Sequence, residues 1–271
     1  MNKVICGLVE DVLPTLAPSS FDGCLCDPPY ALSTQSWDDP GRQREYKARS
    51  EEGYGNRGRM KGYGRGGTPQ DRVAFRSRTN LAFHAQTALW STALFRVMKP
   101  GAWLLAFGSP RTSHRLACGI EDGGWEIRDS LVWEHGSGVP KSRTTELRPI
   151  HETIVLARKP LTESTVPLNV GRWGVGDLRT DGPSHPTSVF RYAKPSKSER
   201  ADSGHPTPKP VDLCAALAGI IRPLAGGSLI VPFAGSGSEM LGAVRAGWTN
   251  IIGIEQSEVY AQTARRRLGH E

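Results

Sequence analysis

The C-terminal part of the chain alternates between helix-like and strand-like segments. PVDLCAALAGIIRPL, which Pro210 can start, and SEMLGAVRAG, which Gly247 can end, have helical spacing. GGSLIVPF and NIIGIE are apolar runs of strand length, and SEVYAQTARRRL adds a further helix. Strands that alternate with helices imply a mostly parallel sheet with helices on both faces. We therefore expect an α/β protein.

The N-terminal half supplies further strands for the same sheet. KVICG is a short β-rich run, FDGCLCD is an apolar strand that ends on an acid, and WLLAFGS is a third strand. LAFHAQTALWSTALFRVM, from Leu81, has the spacing of a helix. EIRDSLVWEH and ETIVLARKP are expected to form an antiparallel pair at a sheet edge. With 271 residues, one domain carrying insertions accounts for the chain.

Two stretches differ in composition from the rest. Residues 40–80 are rich in Gly, Arg, Lys and Tyr and nearly lack aliphatic side chains, so they cannot build a packed core. We predict a flexible Gly/Arg-rich arm there, which is either a solvated insertion or a nucleic-acid-binding segment. Residues 161–206 are rich in Gly, Pro and Arg and are expected to form a loop region or small lobe. The formal charge of +7 favours a polyanionic partner without identifying one.

Other classes of protein are disfavoured by the sequence. No apolar run approaches the ~20 residues that span a bilayer, and MNKVICGLVEDVL lacks a secretory signal pattern, so we expect a cytoplasmic protein without a membrane partner. The five cysteines are odd in number and are expected to be mostly reduced thiols of the core. One C-x-C pair at Cys24 and Cys26 is a weak zinc signal, and no metal is expected.

A glycine-rich loop follows a buried strand near the C-terminus. In SLIVPFAGSGSEMLGAV, Phe233, Gly235 and Gly237 stand between that strand and the start of a helix, where small residues let a ligand approach the backbone. Glu255 stands 18 residues after Gly237, at the end of the next strand, where an acid can accept hydrogen bonds from two ribose hydroxyls. This spacing indicates a nucleoside cofactor. The alternative is tight packing of a helix on the sheet.

The tetrapeptide Asp27-Pro28-Pro29-Tyr30 directly follows the strand FDGCLC. Two prolines restrict the backbone and remove two N–H donors, which leaves fixed carbonyl oxygens beside an acid and an aromatic ring. The Asp27 carboxylate and the Pro28 carbonyl are suited to accept hydrogen bonds from the exocyclic amine of a base, on which Tyr30 can stack. The alternative is a Pro-Pro turn with an incidental acid.

Together the two motifs resemble the amino-directed DNA methyltransferases that use S-adenosylmethionine, in which D-P-P-Y is the catalytic motif and F-x-G-x-G the cofactor motif. Their order here, D-P-P-Y first, is similar to the permuted order of the beta class. Three further segments agree with that order: RVMKPGAWLLAFGSPR, WEHGSGVPKS and HPTPKPVDL. The resemblance covers most of the chain.

The resemblance implies a permuted class-I methyltransferase: one catalytic domain over residues 1–271, with a Rossmann-like, mostly parallel sheet and an antiparallel edge hairpin. Residues 161–206 would be a short target-recognition region. The implied catalytic residues are Asp27, Pro28, Pro29 and Tyr30. The implied cofactor-binding residues are Asp27, His205, Thr207, Lys209, Pro232, Phe233, Ala234, Gly235, Ser236, Gly237 and Glu255. The expected DNA-binding residues are Lys141, Ser142, Arg143, Arg172, Arg191 and Lys194.

The implied reaction is methyl transfer to the N6 amino group of an adenine flipped out of the duplex. Asp rather than Ser at position 27 favours adenine over the N4 amino group of cytosine, which stays an alternative. A DNA-binding protein that keeps the fold without turnover is a second alternative. The resemblance also suggests a homodimer and a cognate restriction enzyme as partners besides DNA.

Two positions depart from the family pattern. Val231 stands where members commonly carry an Asp that contacts the methionine moiety, and Leu8 stands where an acid often reaches the adenine of the cofactor. Glu10, Asp11 and Glu239 are the acids nearby in sequence that can substitute, and the sequence does not choose among them.

Overall fold

The computed structural model describes residues 2–30, 69–140, 147–180 and 186–269, and for residues 69–79 the backbone alone. In these residues one eight-stranded sheet has the order β1-β8-β7-β2-β3-β5-β4-β6. The strands are β1 (Asn2–Cys6), β2 (Phe21–Cys26), β3 (Met98–Gly108), β4 (Glu126–Glu134), β5 (His151–Arg158), β6 (Val189–Arg191), β7 (Ser228–Pro232) and β8 (Asn250–Glu255). The helices are α1 (Val9–Val12), α2 (Pro69–Val97), α3 (Ser113–Asp122), α4 (Val166–Trp173), α5 (Lys197–Ser203), α6 (Val211–Ile220), α7 (Ser238–Arg245) and α8 (Glu258–Arg267).

Strand direction follows the predicted pattern. The neighbours β1, β8, β7, β2 and β3 are mutually parallel. Strand β5 runs antiparallel to both β3 and β4, which confirms the predicted pairing of the two segments. The three-residue strand β6 pairs parallel to β4 on its outer side, so the antiparallel pair lies one strand inside the edge.

Helices cover both faces of the sheet because side chains alternate along its buried strands. In β2, Leu25 belongs to the core cluster that α6, α7 and α8 complete. Cys24 and Cys26 point to the opposite face and join the cluster that α1, α2 and α3 complete. All three side chains are fully buried. A strand that is buried on both faces needs apolar side chains on both, which explains why Cys24, Leu25 and Cys26 do not alternate with polar residues.

Three boundaries or placements differ from the sequence-based expectations. Helix α2 begins at Pro69 rather than Leu81, so the end of the predicted 40–80 arm is helical, and residues 40–68 lie outside the described part. The 161–206 region contains α4, β6 and α5, and α5 starts with a capping box between Ser196 and Glu199. Cys118 is exposed and Cys6 half-buried, so the expectation of core thiols was wrong for these two.

None of the described helices is long and apolar enough to cross a membrane.

Candidate active site

The sheet order brings the sequence motifs to one edge. Strands β2, β7 and β8 are parallel neighbours, so the residues that follow them meet at their shared carboxyl ends. Asp27 follows β2, the loop 233–237 follows β7, and Glu255 ends β8. They line a common cleft of about 1640 Å³. A crevice outside the carboxyl ends of parallel strands is the usual ligand site of such a sheet.

The glycine-rich loop turns sharply between β7 and α7. Phe233, Gly235 and Gly237 have φ values of 59°, 49° and 83°, in the left-handed region that favours glycine. A Cβ at Gly237 would lie 3.0 Å from the Cβ of Ala264 in α8. Glycine is therefore needed at 237 both for the turn and for the approach of α8. Phe233 is not a glycine, so its positive φ is energetically unfavourable. Its ring packs edge-on against that of Trp90, with 5.7 Å between the ring centroids.

Glu255 is tied to the same loop. Its Oε2 accepts a hydrogen bond from the Gly235 amide at 2.8 Å, and its Oε1 accepts one from the Ser257 amide at 2.8 Å. Burial raises the pKa of Glu255, and these backbone donors oppose the increase. A carboxylate has about four acceptor sites, so both oxygens keep capacity for ligand hydroxyls.

The carboxylate of Asp27 lies in a buried charge network. Its Oδ2 is 2.5 Å from the ammonium of Lys209, whose side chain is 5% exposed. That ammonium is also 3.6 Å from Oε2 of Glu152, which accepts a 2.8 Å hydrogen bond from the Tyr30 hydroxyl. The second carboxylate oxygen of Asp27, Oδ1, is buried and has no hydrogen-bond partner in the described structure. Asp27 therefore has one oxygen fixed and one oxygen available.

Burial and charge act against each other in this network. Burial raises the pKa of Asp27, and the Lys209 ammonium opposes the increase. Burial alone would lower the pKa of Lys209, but the carboxylates of Asp27 and Glu152 raise it above its ordinary value. Burial, with Asp27 and Glu152, also raises the pKa of Tyr30 well above its usual range. At neutral pH Lys209 is thus charged, and the Tyr30 phenol keeps its proton and donates a hydrogen bond to Glu152.

The cleft also holds a glutamate on the helix that follows the loop. Glu239, the second residue of α7, is 4% exposed and lines the cleft. Burial, followed by the charge of Asp27, raises the pKa of Glu239 to about 7. The N–H of its own backbone and the charges of Lys209 and Arg267 oppose this increase.

His205 and Tyr260 form an aromatic part of the wall. Their rings meet edge-on at 4.6 Å, and the ring nitrogen Nδ1 of His205 accepts a hydrogen bond from the Thr207 amide at 3.3 Å. Burial, with the nearby Lys209, lowers the pKa of His205 to about 4, so the ring is neutral at pH 7. A neutral imidazole and a phenol ring that meet edge-on offer polarisable aromatic edges to an aromatic ligand.

Most of the predicted site residues converge on this cleft. Those that line it are Asp27, Pro28, Pro29, Tyr30, Lys194, His205, Thr207, Lys209, Phe233, Ala234, Gly235, Ser236 and Glu255. Pro232 and Gly237 do not line it, and they support the loop from the strand and helix on either side. Arg172 pairs with Glu163, and Arg191 with Glu134, both away from the lining. Lys141, Ser142 and Arg143 lie outside the described residues.

Sequence reasoning missed Glu152. Strand β5 is antiparallel to β3, and the pairing of Thr153 with Gly108 brings the start of β5 to the edge where β2 and β3 end. Nothing local to the sequence signals this, because Glu152 and Tyr30 are 122 positions apart.

The structure also shows which of the acids near Val231 and Leu8, the two departures from the family pattern, line the cleft. Val231 is fully buried in the core and Leu8 is buried at the cleft wall. Asp11 is exposed and does not line the cleft. Glu10 lines the cleft, but it accepts a close hydrogen bond from Gln86.

The fold and the cleft define a class of protein: α/β proteins with a doubly covered sheet and a ligand cleft at the carboxyl ends of its parallel strands. Within that class the chain belongs to the N6/N4 DNA methylase family, because residues 21–266 match the family model described as DNA methylase. The predictions of a permuted class-I fold, a DNA methyltransferase and S-adenosylmethionine as cofactor are thereby confirmed.

Individual relatives agree with the family assignment. The chain is 25% identical to the type II methyltransferase M.HindIII of Haemophilus influenzae in an alignment of length 215 that covers 67% of this chain and 68% of that protein. It is 24% identical to the type II methyltransferase M2.DpnII of Streptococcus pneumoniae over 260 residues, 96% of this chain and 86% of that protein. The crystal structure of the M1.HpyAVI–SAM complex matches 98% of this chain and 100% of its own with a TM-score of 0.62 and 17% identity.

Proposed function

We propose that this DNA methyltransferase methylates the exocyclic N6 amino group of adenine. The observation that carries the proposal is the state of Asp27. One oxygen of its carboxylate is held at 2.5 Å by Lys209, while the other is buried without a partner beside a cleft that also contains the glycine-rich loop. A buried acceptor without a donor costs about 1–3 kcal/mol. An amine that donates to Oδ1 would remove that penalty in the complex.

The residues at the strand ends fit S-adenosylmethionine. Glu255 has acceptor capacity for the ribose hydroxyls, and its two backbone bonds fix its carboxylate in place. The positive φ values of Gly235 and Gly237 fold the loop tightly between strand and helix, so that its backbone can border the ligand. His205 and Tyr260 offer aromatic edges to an adenine ring. When bound, the cofactor supplies a methyl group on a positively charged sulfur.

The chain's own groups prepare the amine of the target base. Asp27 Oδ1 and the Pro28 carbonyl accept its two hydrogens, which draws the nitrogen lone pair out of conjugation and aims it into the cleft. The Asp27 carboxylate also stabilises the positive charge that develops on this nitrogen. Flipping the base costs a few kcal/mol, which stacking on Tyr30 and these hydrogen bonds offset.

Nucleoside mass spectrometry tests the assignment. Unmethylated DNA is incubated with S-adenosylmethionine and the wild-type protein, Asp27→Ala or Asp212→Ala, and the hydrolysed nucleosides are quantified. The Asp212 carboxylate is 76% exposed and serves as the matched control. We expect N6-methyladenine from the wild type and from Asp212→Ala, and none from Asp27→Ala. Detection of N4-methylcytosine instead would contradict the proposal and identify cytosine as the target base.

A non-catalytic DNA-binding protein is distinguished in the same experiment. Such a protein would bind DNA and yield neither methylated nucleoside, and Asp27→Ala would leave its DNA affinity unchanged. Two observations favour a catalytic protein over this alternative: the tetrapeptide Asp27 to Tyr30 is intact, and Lys209 already orients the Asp27 carboxylate.

DNA contacts are proposed at the rim of the cleft. Lys194 is exposed and lines it, in the 161–206 segment that we propose as a short target-recognition region. Arg172 and Arg191 would have to leave exposed ion pairs, which are worth at most about 1 kcal/mol, to reach phosphates. A homodimer, a cognate restriction enzyme and a cytoplasmic location stay predictions.

A further inference from the structure

We propose that Glu239 binds the α-ammonium group at the methionine end of S-adenosylmethionine. This inference rests on the proposed function, since it concerns how the same cleft holds its methyl donor. The methionine end carries a sulfonium and an ammonium against a single carboxylate. A site that buries this end therefore needs a protein carboxylate to compensate the excess positive charge.

Five acids line the cleft in the described structure, and four of them already have partners. Asp27 is paired with Lys209, and Glu152 accepts from the Tyr30 hydroxyl. Glu255 accepts from two backbone amides, and Glu10 from the Gln86 amide. No basic group of the described residues lies within 4.0 Å of the Glu239 carboxylate. It is the acid most in need of a cation.

The position of Glu239 fits the methionine end. It is the second residue of α7, which begins directly after the loop that ends at Gly237. Val231 lies in β7, directly before Pro232, the last residue of that strand. It is fully buried and apolar, so it offers the ligand no charge. The strand that precedes the loop, β7, thus has no acid at position 231, whereas the helix that follows the loop, α7, carries Glu239.

The charges that face Glu239 leave it incompletely neutralised. Lys209 is committed to Asp27 at 2.5 Å. The Arg267 guanidinium is bound to Asp202 at 2.7 Å and to the Ser236 carbonyl oxygen at 2.7 Å. Asp27 adds negative charge, and together with burial this raises the pKa of Glu239 to about 7. A ligand cation would lower the cost of the buried carboxylate, which is the behaviour expected of a binding group.

Ligand truncation tests the inference. Isothermal titration calorimetry at pH 7.5 is run with S-adenosylmethionine, S-adenosylhomocysteine and 5′-methylthioadenosine on the wild type, Glu239→Gln and Glu10→Gln. The homocysteine compound keeps the ammonium and lacks the sulfonium charge, whereas methylthioadenosine lacks the amino-acid end altogether. Glu10→Gln is the matched control, because Glu10 also lines the cleft.

We expect Glu239→Gln to weaken both ligands that carry the ammonium by about 10- to 100-fold, as for loss of a charge-assisted hydrogen bond, and to leave methylthioadenosine unchanged. Unchanged methylthioadenosine binding also shows that the variant is folded. Glu10→Gln should affect all three ligands by one common factor.

Three results would overturn the inference: no loss of affinity in Glu239→Gln, an equal loss for all three ligands, or a loss confined to S-adenosylmethionine, which would direct the carboxylate at the sulfonium. A wild-type protein that binds none of the ligands would instead refute the proposed function, and this inference with it. The two failures are therefore distinguishable.

Discussion

Replacing Lys209 by Met removes the only cation within 4.0 Å of Asp27 and Glu152 in the described residues. The ammonium lies 2.5 Å from one carboxylate and 3.6 Å from the other, which at an effective dielectric constant near 20 corresponds to attractions of about 7 and about 5 kcal/mol before desolvation. Desolvation cancels much of this, and breaking a buried pair by removing one partner typically costs about 3–5 kcal/mol. We expect Lys209→Met to lower the melting temperature by roughly 10 °C.

The loss should depend on pH with a defined sign. Without the ammonium, nothing nearby opposes the burial that raises the pKa of Asp27. An acid with a raised pKa in the folded state destabilises the fold fully at pH values above that folded pKa, and the destabilisation shrinks as pH falls from the folded pKa towards the unfolded pKa. The difference between wild type and Lys209→Met should therefore be larger at pH 8 than at pH 5. The acidic limb of methylation rate against pH should also move to higher pH, because catalysis needs ionised Asp27.

Circular dichroism melts of the wild type, Lys209→Met, Glu152→Gln and the double variant measure the stability effects. The double variant should recover part of the loss, because Glu152→Gln removes one of the two uncompensated charges. The reasoning is refuted if Lys209→Met costs less than about 1 kcal/mol, or if its deficit is the same at pH 5 and pH 8.

Three further outcomes are expected. Asp27→Asn should slow single-turnover methylation by about 10²–10³-fold, and an unchanged rate would remove Asp27 from the chemistry. Gly237→Ala should lower thermal stability, by about 1–3 kcal/mol from its φ of 83° and more from a Cβ placed 3.0 Å from Ala264, and a melting temperature within 1 °C of wild type would contradict this. Because the pKa of Glu239 is raised to about 7, this carboxylate becomes protonated between pH 7.5 and 5.5, and the affinity for S-adenosylmethionine should fall by roughly 20-fold over that range. The fall should vanish in Glu239→Gln. Calorimetry across the same pH range checks both expectations.

The sequence was sufficient where a motif sits at the end of a strand. Asp27 and Glu255 could be predicted at one edge because each ends an apolar run, and parallel strands have their ends together. Lys209 was expected to bind the cofactor, and it does line the cleft, but its ion pair with Asp27 was not foreseen because that contact depends on how α6 packs against the sheet. Glu152 was missed because strand pairing, not spacing, brings it there. The start of α2 at Pro69 was missed because a Gly/Arg-rich flank hid the helical pattern.

The bond between Asp27 and Lys209 joins positions 182 residues apart. The catalytic carboxylate is thus held by a residue that emerges from the ribosome long after it, and no N-terminal fragment that stops short of Lys209 contains the arrangement. Methyl transfer by a properly ionised Asp27 consequently reports that the segment before α6 has docked at the end of β2. Selection for activity in such an enzyme is at the same time selection for completion of its fold.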